Sequence, residues 1–369
     1  MIVYQRAVEK YFSGLGMNLQ DRALIDVHDD RFYRALLNKG FLGLAESYIA
    51  GFWDSPRLDE FLCDVLRRQF DRKAALSPEV VASKLFAKVF NLQSTARAFE
   101  IGERHYDIGN DLYRVMLDKE LNYSCAYWKN ARTLDEAQKN KLDLICRKLA
   151  LKEGMKVLDI GCGWGSFARH ACRNYGVTVE GYTVSVEQKK LADELNRGLP
   201  ITIHLRDYRE ITGRYDRVVS IGMLEHVGYR NYATYFKKVA AVLPQDGLAL
   251  IHTIGNNYSQ TSGNIFINKY IFPNSMAPSL KQVGEAIENV LVLEDLHNFG
   301  PDYDPTCLAW HQNFVSRWDE LQGKYSAEFR RMWEFYLLCA SASFRARDTQ
   351  LWQFVFSRPG ATQPDSRRS

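Results

Sequence analysis

Val157-Leu158-Asp159-Ile160-Gly161-Cys162-Gly163-Trp164-Gly165 is an apolar strand running into a glycine loop, with an acid just inside the turn. A buried parallel strand reads as a short apolar run. Gly161, Gly163 and Gly165 let the chain turn sharply and let a ligand approach the backbone where a Cβ would block it. Ser166 to Tyr175 are mostly good helix formers, so the unit is strand, loop, helix. That predicts a nucleotide-type site at the carboxyl end of the first strand of a doubly wound α/β sheet.

The glycine spacing narrows the ligand. A dinucleotide fingerprint G-x-G-x-x-G needs glycine at position 166, which holds Ser166. A G-x-G-x-G loop behind an aspartate resembles the S-adenosylmethionine loop of class I methyltransferases. A purely structural strand-to-helix turn typically needs one glycine rather than three alternating ones.

Beyond the loop, strands and helices alternate as a parallel sheet requires. Strands are expected at Val177–Tyr182, Ile201–Leu205, Arg217–Ile221, Leu248–Thr253, Val290–Leu296 and Trp352–Phe356, making seven with the first. Helices are expected at Thr133–Leu149, Glu187–Asn196, Asn231–Val242, 307–322 and 326–345. Residues 255–285 read as an insertion rich in Ile, Phe, Tyr and Pro. Residues 1–70 read as a small, mostly helical domain with one possible hairpin, 71–100 as a connector, 101–358 as the α/β domain and 359–369 as a disordered tail.

The 369 residues leave room for two domains at roughly 150 residues each, and 46% apolar content supports a sizeable core. No apolar run approaches the roughly 20 residues of a spanning helix, and Met1 to Arg6 lacks the pattern of a signal peptide. Seven scattered cysteines with no C-x-x-C pair read as reduced thiols in the cytoplasm, with no metal site. A net charge of +4 is too small to argue for nucleic acid. Seven basic residues nevertheless fall between Arg67 and Arg97 against Asp71 and Glu79. Val81, Leu85, Phe86, Val89 and Phe90 fall there at helical spacing, with Lys84 and Lys88 on another face. An amphipathic helix on an anionic bilayer and an ordinary surface helix both fit that pattern.

In open α/β sheets the ligand lies at the carboxyl ends of the strands. That rule selects Asp159 to Gly165, Thr183 to Gln188, Asp207-Tyr208-Arg209, Glu225-His226, His252-Thr253-Ile254, and His297 to Tyr303. An acid after the second strand would suit a ribose diol; none stands at the strand tip, and Gln188 is the available substitute. Tyr208 offers adenine a flat face. Taken alone, Glu225 reads as a solvated or capping acid and His252 as a satisfied core histidine. Their convergence with the glycine loop on one sheet edge argues for function. His226 reads as a residue that holds the loop. The segments 103–111 and 122–128 are dense in aromatic and polar groups, suited to a sulfonium or a developing cation or to a packed lid. Cys125 has no basic residue within two positions on either side, which argues against a lowered thiol pKa.

Several segments in order resemble the cyclopropane-fatty-acyl-phospholipid synthase family over almost the whole chain. They include Leu42 to Tyr48, His105 to Asn110, Tyr123 to Tyr127, Leu158 to Gly165 and Gly222 to Gly228. His252 to Gly255, Asn268 to Asn274, His297 to Gly300 and Phe344 to Arg347 continue the match. The resemblance implies a class I methyltransferase, a Rossmann-like seven-stranded sheet with a smaller, mostly helical N-terminal domain. It implies an enzyme that adds a methylene from S-adenosylmethionine across a cis double bond of a phospholipid acyl chain. The alkene attacks the methyl, and a bound bicarbonate takes the proton that lets the ring close.

By the same resemblance, bicarbonate sits among Glu225, His252, Tyr303 and the backbone of Cys125 and Ile254. The cofactor contacts Tyr123, Ser124, Asp159, Gly161, Gly163, Thr183, Gln188, Tyr208 and Arg209. A homodimer on the inner face of the cell membrane is also implied. Two like charges about 4 Å apart repel by roughly 4 kcal/mol at an effective dielectric near 20. Bicarbonate beside Glu225 therefore needs its hydroxyl to donate to the carboxylate while other groups donate to its oxygens. The family's cysteine four residues before the Phe of F-R-x-R is Ala340 here, with Cys339 one position earlier. A lipid C-methyltransferase giving methyl-branched or methylene products is the alternative within the family. A nucleic-acid or protein methyltransferase would need a basic groove or peptide cleft, yet Lys269 is the insertion's only basic residue before Lys281. A lipid-binding module would have no use for the glycine loop.

Overall fold

The computed structural model describes residues 2–68 and 109–365. The connector at 71–100, the basic stretch beyond Arg68 and most of the 103–111 motif lie outside the described residues.

A glycine sets the shape of the first unit. Its elements are α1 (Ile2–Gly14), β1 (Asp26–Val27), α2 (Arg31–Ile49), β2 (Trp53–Asp54) and α3 (Leu58–Arg67). Helix α2 bends at Gly40, whose φ of 54° and ψ of −131° lie where side-chain-bearing residues rarely go. The expected hairpin takes another form: β1 and β2 are two-residue strands pairing antiparallel across the whole of α2. Trp53 closes the unit, its indole N–H donating to Leu44 O and Ser47 Oγ.

The chain continues through α4 (Asn110–Met116) and α5 (Leu134–Lys148). A capping box starts α5: Thr133 accepts from the Glu136 amide, and Glu136 reaches back to the Thr133 N–H. Then come β3 (Lys156–Ile160), α6 (Ser166–Tyr175), β4 (Thr178–Thr183), α7 (Val186–Leu195), β5 (Ile201–Leu205) and β6 (Arg217–Ile221). The rest is α8 (Leu224–Val227), α9 (Tyr232–Val242), β7 (Leu248–Asn256), α10 (Leu280–Ile287), β8 (Val292–Asn298), α11 (Tyr303–Ser316), α12 (Ala327–Arg345) and β9 (Thr349–Ser357).

Seven of these strands form the expected sheet, in the order β5-β4-β3-β6-β7-β9-β8. Strands β3 to β7 run parallel, and β9 is antiparallel to both neighbours. The order reverses between β3 and β6, which makes that point the ligand-binding crevice. Strands β7 and β9 are longer than their apolar runs suggest, because Ala249 to Asn256 pair in unbroken register with Phe356 to Thr349. The helix expected at 307–322 ends at Ser316 and continues as a tight turn, Trp318–Leu321. Among the described residues no helix is long and apolar enough to cross a membrane. All seven cysteines are buried and unbridged.

The first unit shares one apolar cluster with α11 and α12, joining Phe12, Phe32, Trp53 and Phe61 to Trp310, Trp333 and Phe335. Two arginines of α12 lock the contact. Arg331 donates to Tyr48 O, Trp53 O and Asp54. Arg345 grips Asp304 through two N–H groups at 2.8 Å and reaches Asp59 of α3 at 2.7 Å. A fork of this kind suits guanidinium, not a point charge. Arg345→Met should cost about 2 kcal/mol, since two half-buried carboxylates lose their donor. Urea denaturation checks this; Arg347→Met, at an exposed side chain with no ion pair among the described residues, should leave the midpoint unchanged.

Candidate active site

Two cavities meet at the sheet's switch point. The first lies over the glycine loop and is lined by all nine residues expected to hold the cofactor. The three loop glycines divide their work. All have positive φ, but a Cβ on Gly161 would strike Met223 at 2.7 Å and one on Gly165 would strike Asn196 at 2.8 Å. At Gly163 nothing lies nearer than Gln188 Nε2 at 4.0 Å, so its bare backbone faces open space. Gly161 and Gly163 line the cavity and Gly165 does not; of the two, Gly163 is the one with room where a Cβ would stand.

Around this cradle the polar groups are pre-set. Ser185 caps α7 and so fixes Gln188, whose Oε1 accepts from Thr183 Oγ1 at 2.9 Å. Asp207 accepts from both the amide and the guanidinium of Arg209, which lies 4.6 Å over the Tyr208 ring. The Tyr208 hydroxyl is buried without a hydrogen-bond partner. Burial pushes Asp159 up to about 7, opposed by Lys141. Lys141 escaped the sequence reading. It is 1% exposed, lines the same cavity, and donates to Asn122 Oδ1 and Ser124 Oγ at 3.0 Å each. Burial lowers its pKa to about 8, against the pull of Asp118, Cys125 and Asp159.

The second cavity, about 670 Å³, runs from this wall towards the N-terminal unit. Its size falls within the roughly 300–1,000 Å³ of small-molecule sites. Phe41, Leu42 and Leu66 line one part, and Ile265, Phe266, Ile267 and Phe272 of the insertion line another. Four of the five residues assigned to the bicarbonate site, Glu225, His252, Ile254 and Tyr303, also line it.

Their contacts are specific. Glu225 Oε1 accepts the Ile254 N–H at 2.6 Å, while Oε2 is buried without a partner. The Ile254 amide thus holds the carboxylate in place instead of facing an anion, which differs from the role expected of it. Gln353 Nε2 stands 3.3 Å from His252 Nδ1, so Nδ1 accepts and the proton sits on Nε2, which is buried and unpartnered. Burial drives His252 well below its usual pKa and Glu225 up to about 7. Tyr303, stacked on Phe344 with centroids 4.5 Å apart, is held protonated by burial.

Cys125 is not among the residues lining either cavity. Its thiol is fully buried, donates to Ala126 O, and has a pKa pushed well above 9 by burial. Its neighbour Ser124 lines both cavities, as do Tyr123, Gly222 and His226. His226 therefore does more than hold the loop: it stands where the cavities join, neutral because burial lowers its pKa to about 4. Cys339 and Ala340 both line the second cavity, so the shifted cysteine is a wall residue.

Comparison with known proteins gives the family. The family model for mycolic acid cyclopropane synthetase matches residues 93–354. The chain is 47% identical over 346 residues to a cyclopropane-fatty-acyl-phospholipid synthase of Escherichia coli (strain K12), covering 94% of this chain and 91% of that protein. A tuberculostearic acid methyltransferase of Mycobacterium tuberculosis is 31% identical, over 90% of this chain and 82% of its own. The solved mycolic acid cyclopropane synthase CmaA1, complexed with SAH and CTAB, superposes with a TM-score of 0.67 at 31% identity, covering 70% of this chain and 98% of its own. A coclaurine N-methyltransferase structure, 20% identical with a TM-score of 0.69 over 86% of this chain and 99% of its own, shares the fold. The chain belongs to the mycolic acid cyclopropane synthetase family and is an S-adenosylmethionine-dependent methyltransferase.

Proposed function

We propose that this protein transfers a methylene group from S-adenosylmethionine across the cis double bond of an unsaturated phospholipid acyl chain, forming a cyclopropane fatty acid. The observation that carries this reading is the shared wall of the two cavities, Tyr123, Ser124, Gly222 and His226. A methyl donor over the glycine loop and an alkene in the apolar cavity would meet there. The bare Gly163 backbone, the unpartnered Tyr208 hydroxyl and the acid–base pair of Asp159 and Lys141 on one wall fit the cofactor. The 47% identity to the Escherichia coli synthase supports the same substrate class.

S-adenosylmethionine, when bound, supplies an electrophilic methyl group. The protein supplies the surroundings. The Tyr123 ring packs against Phe272 and Trp310 with centroids 5.9 and 5.3 Å apart, and Tyr336 hydrogen-bonds its hydroxyl. Such faces stabilise a cation developing on the alkene by roughly 0.5–2 kcal/mol each. Neutral His226 adds no competing charge at the wall. The apolar cavity walls favour an acyl chain by about 0.8 kcal/mol per buried methylene.

Ring closure requires a proton to leave. Glu225 Oε2, His252 Nε2–H and the Tyr303 hydroxyl form a polar patch fitting bicarbonate, which would serve as the proton acceptor. With its pKa raised to about 7, Glu225 can be neutral near physiological pH, which relieves like-charge repulsion with that anion. The basic residues beyond Arg67 support peripheral attachment to the inner face of the cell membrane, with a homodimer as the working assembly.

Labelled S-adenosylmethionine and unsaturated phospholipid vesicles test the activity. Gas chromatography with mass spectrometry should find cyclopropane chains; methyl-branched or methylene chains would instead assign the C-methyltransferase reading. Tyr303→Phe should slow turnover by roughly 10²- to 10³-fold while sparing cofactor affinity. Wild-type turnover of that variant, with and without added bicarbonate, would exclude the cradle.

The raised Glu225 pKa also predicts a pH effect on the ligand-free protein. A carboxyl that is harder to ionise when folded contributes stability below its unfolded pKa, near 4.5, and loses it as pH rises through about 7. Glu225→Gln keeps an acceptor for the Ile254 amide but cannot ionise. Relative to wild type it should gain stability between pH 5 and pH 8, by on the order of 3 kcal/mol. Urea midpoints across that range measure it; parallel pH profiles would show that Glu225 is not buried in this way.

A further inference from the structure

We infer that Lys141 and Ser124 form a binding site for the α-carboxylate at the methionyl end of the cofactor. The inference rests on the cofactor reading and adds a residue of α5 to it. A buried ammonium is costly unless anions or oriented dipoles surround it. Lys141 Nζ directs two of its three donors at Asn122 Oδ1 and Ser124 Oγ. Asp118 does not pair with it directly: its carboxylate accepts the Asn122 backbone and side-chain N–H groups, both at 2.8 Å, and so turns the Asn122 oxygen towards the lysine. Lys141 and Asp159 both line the first cavity, and each feels the other's charge.

The network has a direction. Ser124 Oγ accepts from an ammonium, which leaves its own O–H to donate elsewhere and strengthens it as a donor. Ser124 lies on the cavity wall, so that hydroxyl and the third Lys141 N–H are the groups available to an anion there. Asp159 supplies an acid on the same wall. One cation and one acid on one wall match a zwitterionic α-amino acid, which the methionyl end of the cofactor is. The adenosyl end needs neither charge, since Tyr208 and Gln188 lie at the other strand tips.

The test uses binding rather than turnover. Isothermal titration would measure S-adenosylhomocysteine, which carries the carboxylate, and 5′-methylthioadenosine, which lacks the amino-acid end. Wild type should prefer the former. Lys141→Met should weaken S-adenosylhomocysteine by roughly 10- to 100-fold and leave methylthioadenosine within about twofold. Ser124→Ala, which keeps the lysine and so guards against a folding failure, should show a smaller loss with the same selectivity. Equal weakening of both ligands by folded variants, or no weakening of either, would overturn the site. Failure of wild-type protein to bind either ligand would instead sink the cofactor reading beneath it.

Discussion

The hydrogen bond from the Ile254 amide to Glu225, at 2.6 Å, joins the two halves of the site. Glu225 sits on the short helix after β6, and Ile254 lies in β7, the next strand of the sheet. Pinning the side chain to β7 fixes α8, and with it Met223 and His226 on the wall of the first cavity. The Glu225 carbonyl also accepts the Met276 amide at 2.8 Å, which anchors the insertion. One residue thereby sets the sheet edge, the cofactor wall and the roof of the apolar cavity. A carboxyl group is suited to this because its oxygen accepts from a backbone N–H whether it is neutral or ionised.

The second constraint is that the apolar cavity is built from distant parts of the chain. Its lining includes Lys39 to Leu42 of the N-terminal unit as well as Cys339, Ala340, Ser343 and Phe344 of α12. The kink at Gly40 brings the first group to the cavity, and the Arg345 fork holds the unit against α11 and α12. Glu46 adds a bridge between the two segments: it pairs with Lys39, Lys269 and Tyr270, so α2 and the insertion share one acid. The N-terminal unit is therefore part of the cavity wall. The family model starts at residue 93, whereas the Escherichia coli match leaves only 6% of the chain uncovered and so must extend well ahead of that point.

Much of this was legible in the sequence because the signals are local. Alternating glycines behind an apolar strand mark the cradle, and strand-end positions single out Asp159, Tyr208 and Glu225 without any knowledge of contacts. What escaped depends on contacts between distant residues. Lys141 sits among Lys139, Asn140 and Arg147 in a helix whose polar content suggests solvent, and its partners lie 17 and 19 residues back in an irregular loop. No periodicity connects them. His226 reads from the sequence as a residue that holds the loop, yet the one-turn helix after β6 puts both it and Glu225 on cavity walls. The Ile254 amide could be placed near the site but not assigned a partner, because a backbone N–H has no residue-type signature.

The same geometry explains why the site is arranged at the expense of stability. Leaving a buried polar atom without a partner costs about 1–3 kcal/mol. Glu225 Oε2 and His252 Nε2 both stand in that condition on one cavity wall, amid Phe299, Tyr303 and Phe344. A core selected for stability alone would replace both with apolar groups of similar volume. Their retention is intelligible if a small polar species completes them, since the surrounding rings exclude competing water and strengthen each donor it meets. The histidine suits the position for the same reason. Burial keeps it neutral, Gln353 fixes its tautomer, and Nε2–H is thereby a donor oriented before any anion arrives. Pre-orientation removes the cost of ordering donors during the reaction, leaving the apolar walls to position the acyl chain.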